Sequence, residues 1–223
     1  MSRHPAPDEL LLDFVTGVLP EGPALAVALK VALDPEARRT VDRLRALGGA
    51  LLESEEAAAS GDDGLERVLA RLDAVPVEPE PARPEPRAGF EWAPAPLLPY
   101  LAGKSWQRTA GDFEHIEIDL HGDTHRVALL KLDPGKGLPN HKHTASEYTV
   151  VLQGGFTDNT GSYAAGDFAI GPGPQAHEPI ADPGEPCIAL IVGEKRVVFT
   201  GMMGRLINLL VLFGMKVVNL AAR

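Results

Sequence analysis

The sequence predicts an α+β protein with two domains, a small N-terminal helical domain and a C-terminal all-β sandwich or barrel that ends in a helix. Three observations indicate this order. Apolar residues recur at helical spacing up to about residue 75, a segment with seven prolines covers residues 75–96, and apolar residues then alternate as they do in strands. The length of 223 residues suits one small and one medium domain.

Four helices are predicted in the first domain. The first follows Asp8 as its candidate cap, the second opens after Pro23, and the third extends from Glu36 to about Glu56. The fourth carries an apolar stripe at helical spacing, formed by Leu65, Val68, Leu69 and Leu72. This stripe has two interpretations, a contact surface for a partner or the core of a plain four-helix bundle.

The domain boundaries follow from the proline-rich segment. Proline lacks the backbone N–H that regular hydrogen bonding needs and favours extended backbone, so residues 76–96 are predicted to be an interdomain linker. The helical domain is then expected at residues 1–75 and the β domain at residues 97–223.

Short strands separated by turns rich in Gly, Pro and Asp predict the second domain. The expected strands cover residues 116–120, 126–132, 148–152, 162–170, 187–192 and 196–200. Residues 203–220 are strongly apolar and too long for a typical strand. We expect a terminal helix there, which either covers the barrel or pairs with a second subunit in a homodimer.

The charge of the chain argues against one class of partner. The net charge is −10, and residues 1–75 alone carry 14 acidic and 8 basic residues. Direct contact with nucleic acid requires clustered Lys and Arg, so a basic protein is the expected partner.

The single cysteine and the apolar segments bear on location. Cys187 has no partner for an intrachain disulfide, and we expect it to be a small buried hydrophobe. No signal peptide is recognisable, and the uncharged stretch at residues 206–215 is shorter than the ~20 residues that a membrane span requires. The sequence therefore predicts a cytoplasmic protein with no membrane contact.

Candidate metal ligands are clustered in PNHKHTASEYTVVLQGGF, which contains His141, His143 and Glu147. On an extended chain, alternate residues share a side, so the two imidazoles project together and Glu147 can follow them. His177 comes 30 residues after Glu147, behind a Gly- and Pro-rich turn. Three imidazoles and one carboxylate suit one divalent Zn, Fe, Ni, Mn or Cu ion.

This pattern in two parts resembles the cupin superfamily. Its first motif carries HxH and a Glu beside a Gly, and its second carries a His after a turn containing Gly-Asp. The matching residues here are His141, His143, Glu147, Gly154 or Gly155, Gly166, Asp167 and His177. The resemblance implies a jelly-roll barrel with one metal ion.

Over nearly its full length the chain resembles the ChrR-type zinc anti-sigma factors. DELLLDFVTGVLPEGPALAVALKVAL and RALGGALLE resemble the helical domain of that family, and VLQGGFTDNTGSYAAGDFAI with HEPIAD resembles its cupin. The resemblance implies a stress-response regulator that binds an extracytoplasmic-function sigma factor through the stripe on the fourth helix. It also implies a sensory cupin, with zinc as the favoured metal and a small molecule as a candidate ligand.

The N-terminal domain departs from that family, which holds a zinc ion there through two histidines and a CxxC pair. This chain keeps only His4 as a candidate ligand. Lys30 stands in place of the second histidine, and Asp34 and Ala37 stand in place of the cysteines. We therefore expect no N-terminal zinc, and we favour a metal-free anti-sigma domain over a degenerate domain with a new role.

Two other functions fit a metal-binding cupin. A metal-dependent dioxygenase is the main alternative, since such a metal leaves positions for dioxygen and an organic substrate. No catalytic residue stands out to support it. The other is a storage or structural cupin whose metal only stabilises the barrel.

Overall fold

The structure is a computed structural model that describes residues 3–58, 61, 63–76, 88–108, 113–120, 122–143, 146–171, 176–193 and 197–199. For His143 and residues 197–199 it describes the backbone only. The terminal helix predicted at residues 203–220 lies outside the described residues.

The four predicted helices are present. They are α1 (Asp8–Thr16), α2 (Glu21–Leu33), α3 (Pro35–Ser54) and α4 (Gly64–Ala74), and a 3-10 helix follows at Ala95–Leu101. Two predicted helix starts were wrong. Asp8 is the first helical residue of α1 and not its cap. Helix α2 begins at Glu21, before Pro23. The first turn of a helix accepts proline because the N–H groups of that turn have no partner within the helix.

The predicted all-β domain is confirmed. Its strands are β1 (Gln107–Arg108), β2 (Phe113–Ile118), β3 (Arg126–Leu132), β4 (His141–His143), β5 (Glu147–Gln153), β6 (Gly155–Asp158), β7 (Gly161–Ala164), β8 (Phe168–Ile170), β9 (Ile180–Ala181), β10 (Cys187–Gly193) and β11 (Val197–Phe199). The larger sheet has the antiparallel order β1-β2-β3-β10-β5-β8, a smaller one has the order β7-β6-β9, and β11 pairs with β4.

Two predicted strands were wrong in extent. The strand expected at residues 116–120 is β2, which begins at Phe113 and ends at Ile118. Residues 162–170 form two strands, β7 and β8, which belong to different sheets. Gly166 lies between them with φ of 88°, a conformation that glycine adopts without strain, and the chain turns there from one sheet to the other.

The helical half and the barrel share one core. Leu25, Val27 and Leu29 of α2 are fully or almost fully buried in the same cluster as Leu129 and Leu190 of the large sheet. The cluster also contains two residues of the predicted linker, Phe90 and Ala93. Helix α2 is apolar on all sides, which is typical of a helix that is covered on all sides.

Helices α3 and α4 are far more exposed than α1 and α2. Only Ala37 and Val41 are buried in α3, and α4 has no buried residue in the part of the chain that the structure describes. The plain four-helix bundle is therefore wrong, because a bundle would bury the apolar stripe of α4.

No single helix among the described residues has both the length and the apolar composition of a membrane span. Helices α1 and α2 have them only when taken together, and the pair is bent by 114°.

Candidate functional site

The structure brings two of the four predicted metal ligands directly together. His141 and His177 form an antiparallel bridge, in which each backbone N–H donates to the other residue's carbonyl at 3.0 and 2.8 Å. Residues paired in this way project their side chains from the same face. The two imidazole ring centroids are 4.4 Å apart.

Both imidazoles are oriented through their Nδ1 atoms. Nδ1 of His141 lies 2.8 Å from the carbonyl oxygen of Pro139, and Nδ1 of His177 lies 2.9 Å from the carboxylate of Asp158. A carbonyl and a carboxylate only accept, so each Nδ1 carries the proton and Nε2 keeps the lone pair that a metal needs. Burial lowers the pKa of His141, which favours the neutral, ligating form.

Asp158 is itself held in place. Its side chain is 3% exposed, and it accepts hydrogen bonds from the backbone N–H and the hydroxyl of Thr160 at 2.7 and 2.6 Å. A carboxylate fixed in this way sets both the tautomer and the ring orientation of His177. Our sequence reasoning missed Asp158, because nothing in DNTG distinguishes it from an ordinary turn aspartate.

Glu147 is a buried carboxyl at the start of β5. Burial raises its pKa to about 8. Glycines stand on both sides of it: a Cβ on Gly171 would come within 3.2 Å of the Glu147 Cβ, and one on Gly193 within 3.4 Å of its Cγ and Oε2. A neighbouring cation is the usual means of keeping such a carboxyl ionised.

Glu147 and His177 line the same small cavity. Its volume of about 10 Å³ suits one water-sized or ion-sized occupant. The lining residues are Glu147, Thr149, Phe156, Asp158, Thr160, Tyr163, Ala169, Ile170, Gly171 and His177.

The fourth predicted ligand is His143, whose side chain lies outside the described part of the structure. Its backbone belongs to the same strand as His141, two residues along, so the two residues share a face of β4. Among the described side chains, no three of His, Cys, Asp or Glu are grouped closely enough to hold a metal ion. The donor types and the oriented imidazoles fit a metal, and the complete set of four ligands stays a prediction.

The residues at the N-terminal zinc positions form a different kind of site. Lys30 has no exposed surface, and its Nζ lies 2.8 Å from the Asp34 carboxylate, 2.8 Å from the Gly166 carbonyl and 3.2 Å from the His4 carbonyl. These residues do not fit a zinc ion, because the ammonium is already a cation and Ala37 has no donor atom.

Asp34 connects this cation to helix α3. Its Oδ1 accepts the backbone N–H of Glu36 at 2.9 Å and so caps the helix. Burial opposes ionisation, but the hydrogen bonds from Lys30 and the backbone hold the pKa of Asp34 below its usual value.

Exposed apolar side chains include the predicted partner contacts on α4 and three further leucines on α3. The predicted residues on α4 are Leu65 (70% exposed), Val68 (54%), Leu69 (48%) and Leu72 (63%). Leu47, Leu51 and Leu52 on α3 are also more than half exposed. We call these seven residues the leucine surface. Sequence periodicity placed the three α3 leucines on one side of the helix, but it did not indicate whether that side was covered.

Comparisons with known proteins give similarity over most of the chain. A family model described as "ChrR Cupin-like domain" matches residues 101–195. The protein named "Anti-sigma-E factor ChrR" from Cereibacter sphaeroides is 33% identical over 211 residues, which cover 92% of this chain and 96% of that protein. ChrR in the crystal structure of Rhodobacter sphaeroides SigE in complex with the anti-sigma ChrR aligns with a TM-score of 0.71 at 31% identity, covering 87% of this chain and 100% of that chain.

Proposed function

Because this chain belongs to the family of ChrR anti-sigma factors, we propose that it is a transcriptional regulator that binds a sigma factor of the extracytoplasmic-function class. The observation that carries the proposal is the extent of the similarity, which covers 96% of the ChrR protein and therefore includes the helical half. A barrel dioxygenase or a storage cupin has no need of that half, so both alternatives are disfavoured.

The leucine surface is the proposed contact with the sigma factor. Large apolar side chains that remain about half exposed or more are unfavourable in water, and full burial of one leucine contributes about 1.5–3 kcal/mol. Leu65, Val68, Leu69 and Leu72 supply the α4 part of the contact, and the α3 leucines enlarge it. The acidic excess of residues 1–75 complements a basic partner.

We propose that the barrel holds one divalent metal ion through His141, His143, Glu147 and His177. The protonated Nδ1 atoms of His141 and His177 leave both Nε2 atoms as ligands. Glu147 would supply a negative charge once a bound cation offset the burial that raises its pKa. Zinc is the favoured ion, with Fe, Ni, Mn or Cu as alternatives. When bound, the metal supplies a Lewis-acid centre at which a small-molecule signal can coordinate.

The regulatory role assigns a function to each half of the chain. The helices bind the sigma factor, and the barrel senses a stress signal that changes the affinity of the helices. Such regulation requires two conformations with different affinities for the sigma factor. A sigma factor acts on RNA polymerase inside the cell, so we place the protein in the cytoplasm.

Titration calorimetry of the full chain with a purified extracytoplasmic-function sigma factor from the same organism tests the proposal. The wild-type protein is expected to form a 1:1 complex. The double variant Leu69→Ala with Leu72→Ala is expected to weaken binding by at least about tenfold, or about 1.4 kcal/mol, because two apolar contacts are truncated.

Ile180→Ala is the matched control, since Ile180 on the barrel strand β9 is 45% exposed, close to the 48% of Leu69. It is expected to bind as the wild type does. Failure of the wild-type protein to bind any extracytoplasmic-function sigma factor of its own organism would contradict the function, and unchanged binding by the double leucine variant would contradict the surface.

A further inference from the structure

Helix α2 is bonded to the barrel at both ends. At its start, the backbone N–H of Gly22 donates to the carboxylate of Asp123 at 2.6 Å. At its end, the ammonium of Lys30 donates to the carbonyl of Gly166 at 2.8 Å. Gly166 belongs to residues 164–168, which we call the barrel turn and which lead from β7 into β8.

Three separate segments of the chain meet at the Lys30 ammonium. The carbonyl of His4 comes from the N-terminal segment, the carboxylate of Asp34 from the junction of α2 and α3, and the carbonyl of Gly166 from the barrel turn. A fully buried ammonium is costly unless oxygen atoms surround it. The cation therefore holds these three segments in one arrangement.

Asp167 adds a second set of contacts to the same junction. Its carboxylate is 1% exposed and accepts the backbone N–H groups of Arg3 and His4 at 2.7 and 3.1 Å. The backbone N–H of Phe168 donates to the His4 carbonyl at 3.0 Å. The N-terminal segment is thus fixed between Lys30 and the barrel turn.

The β6–β7 hairpin, which leads directly into the barrel turn, lines the cavity of the candidate metal centre. Asp158 bonds to His177 and to the hydroxyl of Thr160, and the latter lies 3.0 Å from the Tyr163 hydroxyl. The Tyr163 ring lies 4.4 Å from the ring of His4. Contacts therefore run without interruption from the cavity to the N-terminal segment and to Lys30.

On the other side of Lys30, the contacts reach α3. Asp34 pairs with Lys30 and caps α3, the helix that carries Leu47, Leu51 and Leu52 of the leucine surface. We propose that Lys30 is a positioning residue that takes the place of a structural metal ion and couples the barrel turn to the start of α3. A displacement of the β6–β7 hairpin then changes the position of α3 and of the three leucines that it contributes to the leucine surface.

Hydrogen exchange on the full chain tests the coupling with the variant Asp34→Asn. Asp34 makes its hydrogen bonds with Lys30 and with the N-terminus of α3, not with the barrel turn, and asparagine preserves the cap. If Lys30 couples the two sides, exchange of the His4 and Phe168 amides rises by at least about tenfold, because the ammonium loses its counter-charge and its hold on the barrel turn. Lys30→Met is expected to raise exchange of the same amides further.

Lys104→Met is the control, because Lys104 forms a lysine–aspartate pair of similar length, 2.7 Å, with the exposed Asp119. It is expected to leave the His4 and Phe168 amides unchanged. The coupling would be overturned if Asp34→Asn raised exchange only at residues 34–38. In that outcome the His4 and Phe168 amides would exchange within twofold of the wild-type rate. The measurement needs no sigma factor, so the coupling can stand if the proposed function fails. The consequence of the coupling for the leucine surface rests on the proposed function.

Discussion

Replacing Gly22 with alanine is expected to destabilise the protein, although alanine is the better helix former. Gly22 lies in the first turn of α2, where the helix sits against the large sheet. A Cβ at this position would come within 3.0 Å of Val127, 3.1 Å of the Asp123 carboxylate and 3.2 Å of Val192. Each of these separations is shorter than an ordinary van der Waals contact, so the three neighbouring side chains must give way by a few tenths of an ångström.

The expected magnitude follows from two opposing effects. Alanine gains at most about 1 kcal/mol over glycine in helix propensity, whereas overpacking a closely packed core costs about 1–3 kcal/mol. The substitution also disturbs the hydrogen bond from the Gly22 backbone to Asp123. We expect the free energy of unfolding to fall by about 1–2 kcal/mol.

Gly48→Ala provides a control of opposite sign. Gly48 lies inside α3, and a Cβ there meets nothing within 4 Å. The same chemical change is therefore expected to raise the free energy of unfolding by up to about 1 kcal/mol. Urea unfolding of the full chain, followed by circular dichroism, measures both values. If Gly22→Ala stabilised the protein as much as Gly48→Ala, α2 would not lie this close to the sheet.

Two further predictions concern the barrel. Asp158→Asn is expected to lower metal affinity by about 10–100-fold, because His177 loses the carboxylate that orients it. Competition with a chelating dye measures the affinity, and an unchanged value would contradict the orienting role assigned to Asp158. Burial raises the pKa of the Cys187 thiol to about 12, so about one thiol in ten thousand is ionised at pH 8. Alkylation by iodoacetamide at that pH is expected to be far slower in the folded than in the urea-unfolded protein, and equal rates would show that the thiol is accessible.

The sequence predicted the donor residues of the candidate metal centre, but it did not predict their surroundings. The spacing of His141 and Glu147 and the later His177 indicated a metal site, since side-chain direction along a strand is a local property. The Nδ1 partners of the two histidines were not apparent. Asp158 becomes the partner of His177 only because the fold brings together two turns that are 19 residues apart.

The sequence by itself determined the four helices and most of the longer strands. Strand β3 has the predicted bounds, Arg126–Leu132, because turn residues flank an apolar run on both sides. The apolar residues of α2 at helical spacing likewise indicated a helix. Both properties depend on residues that are close in the chain.

Only the tertiary structure decided what those elements pack against. The sequence placed Lys30 and Asp34 where the related family has zinc ligands, and it indicated the loss of a metal site. It did not indicate that the ammonium reaches Gly166, 136 residues away, and joins the helices to the barrel. Such a contact depends on how preformed elements pack together, and local periodicity carries no information about that packing.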